Sequence, residues 1–131
     1  MIITGLVLAG LAALVHVYIF YLESVAWRSR RARATFGVAS DEEARVTQPL
    51  AFNQGFYNLF LAVEVALGIV LTAVGTTAVG ATLVFVGAGS MVAAALVLVL
   101  SNPSMAPAAA KQGAIPLLGV VALAIGLAVG A

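Results

Sequence analysis

Apolar residues form four long runs along the chain, and three polar segments separate them. At about 1.5 Å of rise per residue, a helix made by each run is long enough to cross most or all of the ~30 Å hydrocarbon layer. We predict membrane helices at about residues 2–27, 50–74, 78–101 and 113–129, with a connector over residues 28–49. The pattern therefore predicts an all-α fold: four transmembrane helices with antiparallel neighbours, in one membrane domain over residues 1–131.

The connector over residues 28–49 is the longest polar segment. Ser40 and Glu43 have capping-box spacing, which predicts the start of a short surface helix. A turn at Phe36-Gly37 is expected just before it. Pro49 is predicted in the first turn of the second membrane helix, where its missing N–H costs nothing.

The other two polar segments are short. Residues 75–77 predict a tight link, so the second and third membrane helices should form an antiparallel hairpin. The Asn102-Pro103 dipeptide should end the third helix, because the residue before a proline avoids helical geometry. Residues 104–112 are then expected to form a loop or an interfacial segment, and Pro116 to fall in the first turn of the fourth helix.

Charge adds an orientation to this picture. All 6 lysines and arginines lie in the first and third connectors. By the positive-inside rule, both connectors are cytoplasmic and both termini lie on the non-cytoplasmic side of a cell's inner, or plasma, membrane. A cleaved signal peptide is a competing interpretation of the first run, but its arginines follow the apolar residues, which is the reverse of the usual order. The arginine cluster is expected to contact anionic lipid headgroups: Arg28, Arg30, Arg31 and Arg33.

Composition excludes several classes of function. The chain is 63% apolar, with a net charge of only +1, so the basic residues indicate membrane orientation and no nucleic-acid partner. There are 0 cysteines and 1 histidine, which argues against disulfides, thiol catalysis and a metal centre. No cofactor is predicted.

Small residues recur every four positions in three of the helices, a spacing that lets helices approach closely in lipid. The positions are Gly5, Ala9 and Ala13; Gly89 and Ala93; and Ala122, Gly126 and Gly130. We interpret these stripes mainly as packing within the bundle. The alternative is a homo-oligomer contact, made most readily by the fourth helix, whose stripe is free of polar residues.

Two carboxylates inside apolar runs, Glu23 and Glu64, are the most informative polar residues, because charges are costly at membrane depth. Helical spacing places each of them on a stripe with other polar or aromatic residues. These stripes are His16, Phe20, Glu23 and Trp27 in the first helix, and Asn53, Tyr57, Phe60 and Glu64 in the second, with Gln54 and Asn58 beside it. Both stripes are expected to face the bundle interior and to contact each other.

Depth along the antiparallel helices predicts which residues pair. Glu23 should lie level with Asn53, Gln54 and Tyr57, whereas His16 should reach Asn58 or Glu64. Asn102, Lys111 and Gln112 would surround the same cytoplasmic end. We therefore predict a polar intramembrane pocket open to the cytoplasm, lined by ligand-binding or proton-exchanging candidates: His16, Glu23, Asn53, Gln54, Tyr57, Asn58, Glu64, Asn102 and Gln112.

The Asn-Gln-Gly-x-Tyr-Asn stretch at residues 53–58, taken with the His16–Glu23 stripe, Trp27, Asn102-Pro103 and residues 112–116, resembles a widespread bacterial family. That family consists of small four-helix integral membrane proteins and is catalogued as a domain of unknown function. The resemblance covers nearly the whole chain. It implies a four-helix membrane fold and assigns no activity.

Three classes of function agree with these observations, and catalytic residues are not assigned. The first is the binding or transport of a small, partly apolar molecule in the predicted pocket. The second is a membrane-embedded enzyme that uses carboxylate and histidine acid-base chemistry on a lipid-like substrate, because desolvation disfavours the charged forms of these groups. The third is a structural or accessory subunit of a larger membrane complex, in which the polar groups only fix the helix register.

Overall fold

The structure is a computed structural model that describes residues 1–130. Its elements are α1 (Ile2–Phe20), a π-helical turn (Tyr21–Val25), α2 (Arg30–Phe36), α3 (Asp41–Ala73), α4 (Thr77–Ser101), a 3₁₀ turn (Pro103–Met105) and α5 (Ala106–Gly130). Four segments are long and apolar enough to cross a membrane: Ile2–Val25, Asp41–Ala73, Thr77–Ser101 and Pro103–Gly130. The predicted all-α fold with four membrane helices is confirmed.

The four long helices pack in a ring. α1 contacts α3 on one side and α5 on the other, and α4 completes the ring between α3 and α5. Chain neighbours α3 and α4 are joined by a turn at Gly75, whose φ of 94° lies in the region that glycine adopts without strain. This turn agrees with the predicted antiparallel hairpin.

Small residues form most of the core where the helices meet. The core contains five alanines, namely Ala9, Ala12, Ala13, Ala62 and Ala88, together with Val65, Val84, Met91 and Leu123. Because lipid tails are as apolar as the side chains, burying large apolar side chains between helices adds little stability. Close contact between helix backbones adds more. The alanines and the glycines beside them allow that contact.

The predicted packing stripes are confirmed in α1 and for most of α5. Gly5 meets the backbone of Leu123, and Gly126 meets the backbone of Ile2. The α5 stripe is therefore used within one chain, and Gly130 at its end is exposed. The Gly89 and Ala93 pair does not pack within the chain: Ala93 is exposed, and a Cβ on Gly89 would meet nothing within 4 Å.

The second membrane helix begins much earlier than predicted. α3 starts at Asp41, so the expected surface helix and the expected membrane helix are one continuous helix of 33 residues. One of the two bonds of the predicted capping box forms: the Ser40 hydroxyl accepts from the Glu43 N–H at 3.0 Å. The Glu43 carboxylate accepts at 2.8 Å from the N–H of Ala39, one residue before the cap. Pro49 lies inside this helix on an exposed face. There, water or headgroups can satisfy the carbonyl left without a donor.

The fourth membrane helix also begins earlier than predicted. α5 starts at Ala106, so most of residues 104–112 is helical, and the first turn of α5 contains Pro107. Pro116 therefore lies in the helix interior, where it is buried, and its predicted place in the first turn was wrong. Membrane helices tolerate such a proline because neighbouring groups compensate for the lost hydrogen bond.

The short helix α2 was not predicted. Its start is capped by the Ser29 hydroxyl, which accepts from the Ala32 N–H at 3.1 Å, and it ends at Gly37 with a φ of 69°. The expected turn at Phe36-Gly37 is confirmed as this helix end. Trp27 holds the connector to α3, because its indole N–H donates to the Thr47 hydroxyl at 3.1 Å.

Replacing Ser40 with alanine should loosen the first turn of α3, since it removes the hydroxyl that caps the Glu43 N–H. Losing such a cap costs about 1 kcal/mol in typical helices. We expect faster amide hydrogen exchange at Glu43 and Ala44 and unchanged exchange in the membrane core. Thr82→Ala is the control, because that hydroxyl bonds only a carbonyl of its own helix. Equal exchange in wild type and Ser40→Ala would show that the cap contributes little.

Candidate functional site

The first and second membrane helices meet through a part-buried contact between two polar side chains. The Asn58 amide donates from Nδ2 to Glu23 Oε2 at 2.8 Å, and its second contact is the carbonyl of Gln54 at 3.2 Å. Glu23 lies in the π-helical turn after α1. Such turns are frequent at functional sites, because the extra residue redirects the side chains that follow. Glu23 is half-buried and faces α3, as predicted.

A close backbone approach positions this contact. Gly55 lies one turn before Asn58, and a Cβ on Gly55 would overlap the Ser24 hydroxyl and press on Glu23. The Ser24 hydroxyl in turn donates to the carbonyl oxygen of Phe52 at 2.8 Å. The register differs from the predicted one: Glu23 pairs with Asn58 and not with Asn53, Gln54 or Tyr57.

His16 does not join this contact. Its side chain is only 2% exposed, and Nδ1 lies 2.9 Å from the carbonyl oxygen of Ala12 in the same helix. The expected partners of His16 were Asn58 and Glu64, and the structure gives it neither. His16 and Glu23 are seven residues apart, about 10 Å along a helix, so they do not converge on one reacting position.

The predicted inward stripe of α3 faces outward in the structure. Asn53 and Gln54 are exposed, Tyr57 is 58% exposed and Phe60 is 60% exposed, while Glu64 is partly exposed. The buried face of α3 is made instead by small residues: Ala51, Gly55, Ala62, Val65 and Gly68. The size of the side chains determines which face of α3 packs against its neighbours. The face with the glycines packs against α1 and α4.

The remaining two candidates lie near the start of α5. Asn102 is exposed, and its Oδ1 accepts from the Ser104 hydroxyl at 2.6 Å, a local contact at the end of α4. Gln112 is half-buried. It lines a groove that the sequence analysis did not locate.

This groove lies between α1, α2 and the first turns of α5, and its volume is about 650 Å³. We call it the connector groove. Its lining is mostly apolar, with a few polar groups at the connector end. The residues that line it are Val15, Tyr18, Ile19, Leu22, Arg31, Ala34, Thr35, Phe36, Gly37, Ser104, Met105, Pro107, Ala108, Lys111 and Gln112. Volumes of a few hundred Å³ with few polar groups are typical of small-molecule sites.

Two cations give the connector groove a positive character. Arg31 lies over the Tyr18 ring, 5.9 Å from its centroid, which is within the range of a cation–π contact. Neither Arg31 nor Lys111 forms an ion pair with a carboxylate of residues 1–130, whereas Arg28 pairs with Asp41 and Arg45 with Glu42. The groove therefore presents positive charge that the described part of the chain does not neutralise.

Sequence reasoning found parts of this groove without joining them. Arg31 was one of four arginines expected to contact anionic headgroups, and Lys111 and Gln112 were placed at the cytoplasmic end of the bundle. Tyr18 and the role of α2 were missed, because the helical start of α5 and the fold of the connector were not apparent from periodicity. The Ser29 cap was the signal that could have located α2.

The fold and the lengths of its helices define a multi-pass membrane protein built as a four-helix bundle. The chain belongs to the family described as protein of unknown function (DUF1304), whose model matches residues 10–124. The resemblance stated from the sequence is confirmed as far as the family; the motif at residues 53–58 and a bacterial origin stay predictions. Comparison with curated proteins and with solved structures gives no match.

Proposed function

We propose that this protein binds a small, negatively charged amphiphile in the connector groove. The observation that supports it is the pairing of an apolar floor, formed by α1 and α5, with two cations at the connector end, Arg31 and Lys111. An acyl chain would lie along the apolar floor. A phosphate or carboxylate head would lie between the guanidinium and the ammonium.

The position of the groove fits a ligand taken from one leaflet. The lining from the first membrane helix runs from Leu22 in the π-helical turn to Val15 in α1, about two turns or 10 Å into the apolar segment. With the connectors on the cytoplasmic side, as the basic residues predict, the head would lie in the inner leaflet. Of the four arginines expected to contact anionic lipid, Arg31 would then be the one that binds the head group. Lys111 of α5 would bind the same head group.

The functions proposed from the sequence differ in how well this arrangement supports them. Binding of a partly apolar molecule is favoured, but in the connector groove and not in the predicted pocket. Of the residues predicted to line that pocket, Gln112 lines the groove. Acid-base catalysis gains no support, because His16 and Glu23 are engaged with Ala12 and Asn58 and lie apart.

Replacing both cations with glutamine should weaken binding of anionic amphiphiles. Each basic residue near an anionic head contributes about 1 kcal/mol, so Arg31→Gln/Lys111→Gln should lose roughly ten- to thirty-fold in affinity. Native mass spectrometry of the detergent-solubilised protein would measure this. The ligands compared are a phosphatidylglycerol, a phosphatidylcholine with the same chains, and dodecyl phosphate. This set distinguishes a phospholipid ligand from a free single-chain anion.

The matched control is Arg30→Gln/Arg45→Gln, which removes the same charge outside the groove. We expect that double variant to bind like wild type. An equal loss of affinity in both double variants would mean that general surface charge, and not the groove, causes the effect. Equal binding of phosphatidylglycerol and phosphatidylcholine by the wild type would contradict an anion site.

A further inference from the structure

Three polar residues in the membrane part of α3 lie along one face of the helix. Asn53, Tyr57 and Glu64 are spaced by four and seven positions, which places them on the same face of the helix. We call them the polar stripe of α3. Asn53 and Tyr57 are exposed and Glu64 is partly exposed, so the stripe points away from the packed interior of its own bundle.

Glu64 lies near the middle of the membrane. It is nine residues before Ala73, the last residue of α3, which is about 14 Å along the helix and close to half of the ~30 Å hydrocarbon thickness. An ionisable side chain at that depth costs about 2.5 to 3.5 kcal/mol on insertion scales. Residues of this kind almost always face protein or a water-filled cavity, not acyl chains.

Glu64 has no hydrogen-bond or ion-pair partner within residues 1–130. Among the hydrogen bonds and ion pairs of residues 1–130, none involves its carboxyl group, whereas Glu23 is bonded to Asn58. The adjacent helix α4 contains no charged residue between Thr77 and Ser101. The 6 basic side chains lie within residues 28–45 and at Lys111, toward the connector ends of the helices, and His16 on α1 contacts the Ala12 carbonyl.

We infer that the polar stripe of α3 is the contact surface for a second copy of this chain. A two-fold axis along the membrane normal brings two parallel α3 helices together at matching depth, so each Glu64 meets the same residue of the second copy. A neutral carboxyl group both donates and accepts a hydrogen bond, and two of them can satisfy each other.

The chemistry of the stripe favours a second copy over a different protein. The Asn53 amide and the Tyr57 hydroxyl also donate and accept, so each member of the stripe can pair with its own equivalent. The α5 stripe, which was the expected oligomer contact, is occupied by α1 through Gly126. The exposed polar residues of α4 within the membrane, Thr82 and Ser90, are small hydroxyls, whereas the α3 face presents a carboxyl group at membrane depth.

Disulfide cross-linking tests this contact directly, because the chain has no cysteine of its own. Phe60→Cys places a thiol beside the stripe at a position that is 60% exposed, and Ala66→Cys places one on the opposite exposed flank of α3. Both positions lie within about 6 Å of Glu64 along the helix. In vesicles under mild oxidation, Phe60→Cys should form a covalent dimer several-fold faster than Ala66→Cys. Both variants retain Glu64, so the comparison does not depend on how its replacement folds.

Energy transfer between labelled copies in vesicles gives the second measurement. Glu64→Gln keeps a group that donates and accepts, so its dimerisation should stay near wild type, whereas Glu64→Leu should weaken dimerisation by about ten-fold. Equal cross-linking of the two cysteine variants, or equal dimerisation of Glu64→Leu and wild type, would overturn the proposal. Cross-linking of Phe60→Cys only to a protein of different mass would overturn it in favour of a foreign partner.

Discussion

Replacing Gly5 with alanine should destabilise the bundle by about 1 to 3 kcal/mol, the usual cost of inserting atoms into a packed interface. A Cβ at this position would lie 2.5 Å from the amide nitrogen of Leu123 and 2.7 Å from its Cα. Both are backbone atoms, so no side-chain rotation can relieve the overlap. The α1 and α5 helices must move apart, and the contacts of Ala9 and Ala13 beside it weaken as they do.

Gly89→Ala is the matched control for Gly5→Ala. Gly89 also lies in a membrane helix, but a Cβ there meets nothing within 4 Å. Alanine is the better helix former by about 1 kcal/mol, so Gly89→Ala should be neutral or stabilising. Unfolding in mixed micelles of increasing denaturing detergent would compare the two. Equal stability of the two variants would mean that α1 and α5 are not in backbone contact.

Replacing Asn58 with leucine should cost about 2 kcal/mol, since it removes the donor that Glu23 contacts at 2.8 Å. Hydrogen bonds between membrane helices average only ~0.6 kcal/mol, with a maximum of ~1.7. The variant also leaves a half-buried carboxyl group without its partner, and an unsatisfied buried polar group costs about 1 to 3 kcal/mol. The loss should therefore exceed that of the hydrogen bond alone.

The double variant Glu23→Leu/Asn58→Leu separates these two contributions. Removing both polar groups should recover part of the stability lost in Asn58→Leu, because no polar group is then left unpaired. Gln54→Leu is the control, since its side chain is exposed and Gln54 takes part in this contact only through its backbone carbonyl. The same detergent unfolding measures all three. A double variant less stable than Asn58→Leu would contradict the pairing.

Hydropathy alone was enough to predict the architecture. The third membrane helix, predicted over residues 78–101, is observed as Thr77–Ser101. The starts of α3 and α5 were placed too late because prolines were taken as helix beginnings. Pro49 and Pro116 both lie inside helices, where a freed carbonyl can be satisfied by water or by neighbouring groups. A proline therefore does not by itself mark the start of a membrane helix.

The candidate site was harder to predict than the fold. The pattern of polar residues correctly predicted that Glu23 faces the second membrane helix. It was wrong about which face of α3 packs inside the bundle. Polar groups were expected to decide which face packs, whereas Gly55 and Gly68 decide it by allowing backbone contact. The connector groove depends on how α2 folds back beside α1 and α5. That arrangement comes from a short capped helix and leaves little trace in the periodicity of the sequence.

The length of α3 links the water-exposed end of the molecule to its membrane interior. Its 33 residues span about 50 Å, so some 20 Å of rigid rod projects beyond the acyl chains. The Trp27 indole and the Arg28–Asp41 ion pair fasten the connector to that projecting end. Tilting of that end would therefore move α2, which lines the connector groove, together with Glu64 in the membrane part of α3.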